Sequence, residues 1–155
     1  MARSTSSSNS SVRSEISIPN KFDVVSDEGK TIIKLKGIGE VILNEANPQN
    51  ELSDVKKSIL KKIGLEDEEF FGKLEHIEIS DANRGKGYAK MLMEKAISYA
   101  RENGLMPLYL NASPLSKTGL QLKELTKFYE KFGFKVFDKQ VDNGVPTNNL
   151  MILKE

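Results

Sequence analysis

Residues 74–89 read LEHIEISDANRGKGYA, and their order decides what kind of domain this chain forms. Leu74 to Ile79 alternates and is rich in β-branched residues, so it is a strand. Tyr88 to Asn103 carries apolar residues at helical spacing and stops at Gly104, a residue suited to the position just past a helix end. A strand, a glycine-broken turn and a helix in that order aim backbone N–H groups outward at a helix N-terminus. The helix dipole adds positive potential there, which suits a phosphate or pyrophosphate. Gly85 and Gly87 allow a tight turn and a close ligand, while Arg84 and Lys86 add charge.

Working outward, Pro107 to Asn111 reads as the next strand, and strand–helix–strand at this spacing predicts a parallel βαβ pair. Upstream, strands at 22–26, 31–36 and 40–44, with Asp27 to Lys30 as a turn, predict an antiparallel meander. Residues 45–50 read as a loop. Ser53 is placed to cap a helix running to Lys62, with Val55, Ile59, Leu60 and Ile63 on one face and Gly64 ending it. The acidic run 66–69 with Phe70 and Phe71 suggests a second short helix, and 111–118 a loop. Leu120, Leu125, Phe128, Tyr129 and Phe132 share a helix ending before Gly133. Strands at 134–137 and 149–153 follow, joined by a polar loop containing Asp142, Asn143 and Gly144. The expected fold class is α/β (α+β), with a mixed, mostly antiparallel sheet and one central parallel pair flanked by helices.

The chain of 155 residues fits one domain with a real core. Residues 1–14 are serine-rich with one large apolar side chain, Val12, and read as a flexible tail or a docking arm before a single domain at 15–155. With 23 basic and 22 acidic residues the formal charge is +1, so no dominant field for nucleic acid or membrane is expected. The absence of cysteine excludes disulfides, thiolate metal sites and a cysteine nucleophile, and a single histidine cannot build a multi-histidine metal centre. No apolar run approaches the roughly 20 residues of a membrane span, and the N-terminus lacks the apolar stretch of a signal peptide. A cytoplasmic location is the expectation.

The glycine turn lacks the G-x-x-x-x-G-K-[ST] spacing of nucleoside triphosphatases. It also lacks the third glycine of the dinucleotide fingerprint G-x-G-x-x-G, which leaves a nucleotide-binding reading without either standard pattern. It does fit [RQ]-x-x-G-x-[GA], with Arg84 first, Gly87 fourth and Ala89 sixth. That pattern resembles the pyrophosphate motif of the GNAT family of acyl-CoA-dependent N-acetyltransferases. A second stretch, Leu125 to Phe134 (LTKFYEKFGF), resembles the family's LYEKLGF signature, where a helix ends at a glycine and enters a strand. Together the two motifs cover about residues 72–155, the half of the fold that holds acyl-CoA.

The resemblance implies that strands 74–79 and 107–111 splay and that acetyl-CoA, as cosubstrate, lies between them. Backbone groups of Ile77, Glu78 and Ile79 would pair with the pantetheine amides as an added strand. The amides of Arg84, Gly85, Lys86, Gly87, Tyr88 and Ala89 would hold the pyrophosphate, and the N–H near Ile77 would stabilise the oxyanion. The acceptor amine attacks directly, and no metal is needed. Tyr129 matches the tyrosine that protonates the departing thiolate; by itself it could equally pack beside Phe128 and Phe132. Strand parity puts Glu75, Ile77 and Ile79 on one face and Leu74, His76 and Glu78 on the other. Glu75 is the first candidate base and Glu78 the second, each through water, although a lone strand glutamate also suits a solvated or salt-bridged role. His76 reads as structural, and Asn111 as an acceptor-positioning residue or a loop cap.

The chain departs from the family pattern in two places. Three short strands precede the first helix, where relatives place two helices after the first strand, so the acceptor half is rearranged. The asparagine that often precedes the tyrosine by seven positions is Leu122 here. The expected activity is acetyl transfer from acetyl-CoA to a primary amine: a protein lysine or N-terminus, a polyamine or an amino sugar, by a monomer or homodimer. The competing function is an acyl-CoA-binding interaction module without turnover.

Overall fold

The computed structural model describes residues 22–46, 54–64, 71–114 and 121–154. The serine-rich segment, Ser53, the acidic run at 66–69 and residues 47–50 and 115–120 lie outside the described residues. Within them the order is β1 (Asp23–Asp27), β2 (Lys30–Leu35), β3 (Gly39–Ala46), α1 (Asp54–Lys62), β4 (Phe71–Ile79), α2 (Tyr88–Glu102), β5 (Leu108–Ala112), α3 (Leu122–Glu130), β6 (Lys135–Asp142) and β7 (Val145–Leu153). The seven strands form one sheet in the order β1-β2-β3-β4-β5-β7-β6. β4 and β5 run parallel and every other neighbouring pair is antiparallel, the architecture expected from the sequence.

Local chemistry explains the elements. Glu28 and Gly29 both take positive φ, 49° and 82°, the geometry that reverses a strand within two residues. Thr31, Ile33 and Leu35 alternate into the core from β2, matched by Val41 and Leu43 on β3. α2 covers this face with Leu92, Met93, Ala96, Ile97 and Ala100, spaced three and four apart. Each large apolar side chain buried there contributes about 1.5–3 kcal/mol. Gly104 ends α2 at φ 71°, and the Leu105 N–H donates to the Ala100 carbonyl at 2.8 Å, closing a Schellman turn. A smaller core on the other face packs Leu60 of α1 with Phe71, Tyr109 and Ile152.

Several boundaries differ from the sequence expectation. Phe71 opens β4 instead of closing a helix, and Glu45 and Ala46 extend β3 instead of starting a loop. β5 starts one residue later than expected, at Leu108, and runs one residue further, to Ala112. α3 stops at Glu130, before Phe132, because the chain turns there with N–H bonds from Phe132 to Tyr129 and from Gly133 to Glu130. The polar loop between the last strands is a tight reversal at Asn143 (φ 52°) and Gly144 (φ 80°), and the strands extend to meet it. At Gly72 any Cβ would run into the Leu105 carbonyl and the Leu108 side chain, and the Gly72 N–H donates to the Pro107 carbonyl at 2.9 Å. The missing side chain is what lets the approach to β5 press against β4.

Candidate active site

β4 and β5 pair only through Gly72–Leu108, Lys73–Tyr109 and Leu74–Leu110. Past that last rung β4 continues to Ile79 along β3, while its β5-facing edge has no strand partner. Backbone groups on such an edge need another partner. The gap opens into a cleft of about 900 Å³. Its walls carry Glu75, Ile77, Glu78, Ile79, Arg84, Gly85, Ala89, Asn111 and Tyr129, which bring residues from both sequence motifs to one place. Lys86, Gly87 and Tyr88 sit between the wall residues Gly85 and Ala89 without lining the cleft themselves.

The parity assigned to β4 is corrected by its pairing with β3. Ile42 faces His76 and Leu43 faces Leu74, so Glu75 is an extra residue without a partner across the ladder, a β-bulge. The bulge resets the alternation. Leu74, Ile77 and Ile79 pack into the same core, whereas Glu75 turns to Lys73, with Oε1 2.7 Å from Nζ. The Lys73 ammonium also stands 5.7 Å from the centre of the Tyr109 ring. His76, expected on a structural face, is on the cleft wall with Nε2 3.7 Å from Glu78 Oε1.

The glycine turn is held from outside itself. Asn83 Nδ2 donates to Ser80 Oγ at 2.7 Å and to the Gly37 carbonyl at 3.4 Å. Arg84 Nε donates to the Ile79 carbonyl at 3.2 Å, and Nη1 lies 3.3 Å from Asp81 Oδ1. Gly85 and Gly87 take φ of 78° and 86°, with open space where each Cβ would stand. Gly87 is the N-cap of α2 and offers no side-chain acceptor; the first turn holds no acidic residue. The Met91 N–H reaches the Gly87 carbonyl at 3.2 Å, so the N–H groups of Tyr88, Ala89 and Lys90 precede the intrahelical ladder. Free N–H groups at a helix N-terminus, with the helix dipole behind them, favour an anion.

Tyr129 is 6% exposed, edge-on to Phe128 and Phe134 with ring centroids 5.3 and 6.1 Å away. Burial pushes its phenol up to about 12, so it keeps its proton at neutral pH. α3 is anchored by a capping box, the Gln121 N–H donating to Glu124 Oε1 at 3.2 Å. Asn149 Nδ2 on β7 donates to Thr126 Oγ1 at 2.9 Å, which fixes the helix against the sheet. Asn111 Oδ1 accepts from Asn148 Nδ2 at 2.7 Å. Sequence reasoning missed Lys73, Asn83, Ser113, Pro114 and Leu125 as wall residues. The Lys73–Glu75 spacing, opposite charges two apart on a strand, was the one available signal for the first of them.

Residues 36–134 match the family model of the acetyltransferase (GNAT) family, and the chain belongs to that family. The fold is similar to solved acetyltransferase structures. The NatC complex bound to Gag peptide and CoA is 16% identical, covering 81% of this chain and 70% of that one, with a TM-score of 0.53. Arabidopsis thaliana NAA60 in complex with a bisubstrate analogue is 13% identical, with 83% and 77% covered and a TM-score of 0.54. Mosquito arylalkylamine N-acetyltransferase like 5b is 10% identical, with 81% and 74% covered and a TM-score of 0.55. At identities this low, the superpositions show a common fold alone. No curated protein sequence matches the chain significantly. Among the described residues, no helix is long and apolar enough to cross a membrane.

Proposed function

We propose that the protein transfers an acetyl group from acetyl-CoA to a primary amine by direct attack, with both substrates bound together. The observation that carries this is the parting of β4 and β5 beyond Leu74–Leu110, on a cleft shared with an uncapped helix N-terminus. An unpaired strand edge suits the amides of a pantetheine arm, and the open turn at Gly85 and Gly87 suits a diphosphate. When bound, acetyl-CoA supplies an activated carbonyl and a thiolate leaving group.

The chain's own residues then have separable tasks. Ile77 and the Ile79 N–H hold the arm through backbone groups on the open edge, the Ile79 carbonyl being already engaged by Arg84 and the Glu78 backbone turned toward β3. The Ile77 N–H donates to the carbonyl oxygen as it gains charge. Glu75 has one carboxylate oxygen against Lys73, leaving the other for the water that takes the proton of the amine; Glu78 is the second candidate. Tyr129 donates a hydrogen bond to the departing sulfur. Complete transfer from a phenol at about 12 to a thiolate of ordinary basicity, near 8.5, would cost about 5 kcal/mol. Tyr129 therefore acts chiefly by stabilising charge on sulfur, with the final proton drawn from solvent.

The Lys73–Glu75 pair also favours a second reading, because a carboxylate held by a lysine suits an acyl-CoA-binding module without turnover. Incubation with acetyl-CoA and lysine peptides, free peptide N-termini, a polyamine and an amino sugar, following thiol release, separates the two. Amine-dependent release supports the enzyme; tight binding with no release on any amine supports the module.

A further inference from the structure

We infer that Lys73 is an internal acetyl acceptor, a self-modification site on the wall of the acyl cleft. This rests on the acetyl-transfer reading above and extends it to a residue of this chain. Lys73 stands on the last rungs where β4 and β5 still pair, one residue before they part. It is the one lysine lining the cleft among the described residues. Its ammonium is positioned as an incoming amine should be: Nζ lies 2.7 Å from Oε1 of Glu75, the first candidate base, with the side chain 28% exposed. The Tyr109 ring, 5.7 Å from Nζ, limits where it can swing. Exposed lysines such as Lys135 and Lys139 line neither the cleft nor a pocket shared with Glu75 or Glu78.

The step balances as ordinary acyl transfer from an acyl-CoA thioester. The Nζ–C bond forms and the C–S bond breaks. Of the three N–H protons of Lys73, one stays on the amide and two pass by way of Glu75 to water, while the departing thiolate, hydrogen-bonded by Tyr129, takes one proton from solvent. The product no longer pairs ionically with Glu75, so the carboxylate is released for an external amine.

The test uses the full chain and isotopically labelled acetyl-CoA, read by peptide mass mapping over time. Lys73 should label on the order of tenfold or more faster than Lys135 or Lys139, as expected for a pre-positioned acceptor. The fraction of Lys73 labelled per unit time should be independent of protein concentration, and Glu75→Gln should suppress labelling at Lys73 alone. Labelling of Lys73 no faster than the exposed lysines, or a fraction labelled per unit time that rises with protein concentration, overturns the inference. Failure of the wider reading looks different: acetyl-CoA neither binds in equilibrium dialysis nor is consumed with any amine. Binding and amine turnover with Lys73 unlabelled would refute the internal acceptor alone.

Discussion

At the scale of single residues, Tyr129 carries a stability effect and, in the acetyl-transfer proposal, a catalytic one. Its folded-state value of about 12 lies above the ordinary 10, so the phenol's contribution is complete below pH 10 and is lost as pH rises from 10 toward 12. Two units correspond to about 3 kcal/mol. Denaturant unfolding between pH 9 and 12 should show this alkaline loss, and Tyr129→Phe should flatten it; an equally steep loss in the variant would assign it to other groups. The same substitution should lower kcat about 100-fold while leaving KM for acetyl-CoA within about twofold, since general-acid and hydrogen-bonding roles are worth that much in the transition state. Full turnover in the variant would remove Tyr129 from the chemistry. The Tyr129 position was legible because Lys131, Phe132, Gly133 and Phe134 follow it in a recognisable order. Its burial was not, since that depends on Phe134 and on α3 being tied to β7.

At the scale of elements, the turn into α2 and the contact of β4 with β5 make opposite demands on glycine. Gly87 has φ 86° and free space around the missing Cβ, so Gly87→Val should cost about 1–2 kcal/mol through left-handed backbone strain. The valine would also occupy the ground a diphosphate needs, so acetyl-CoA affinity should fall at least tenfold by calorimetry. Undiminished affinity would contradict the anion-site assignment. Gly72→Ala should instead act on stability, because its Cβ would meet the backbone of Leu105. A loss of about 2 kcal/mol or more is expected in urea titration, in the range of forced overpacking. The strand–turn–helix unit could be found in the sequence because its signals are local: alternation, glycines and helical spacing. The bulge at Glu75 could not, because it is set by where Ile42 and Leu43 of a distant strand choose their partners. That one residue of slip put Ile77 and Ile79 on the core side with Leu74, leaving Glu75 on the opposite side beside Lys73.

At the scale of the whole molecule, β4 belongs to both halves of the sheet, continuous with β3 on one side and parting from β5 on the other. The opening meander and the one parallel pair followed from the sequence, while the place of β7 between β5 and β6 and the depth of the gap depended on long-range pairing. A ligand bound in the gap ties the two halves together, so folding and binding are linked. Acetyl-CoA at a hundredfold excess over its Kd should add about 2.7 kcal/mol of stability, raising the unfolding midpoint by roughly 5–10 °C. The most direct measurement is backbone hydrogen exchange with and without CoA. Amides of residues 77–79 and 84–90 should become strongly protected on CoA binding, while those of β1 stay as they were. Unchanged exchange at both segments in the presence of saturating CoA, or protection confined to some other surface, would contradict the account.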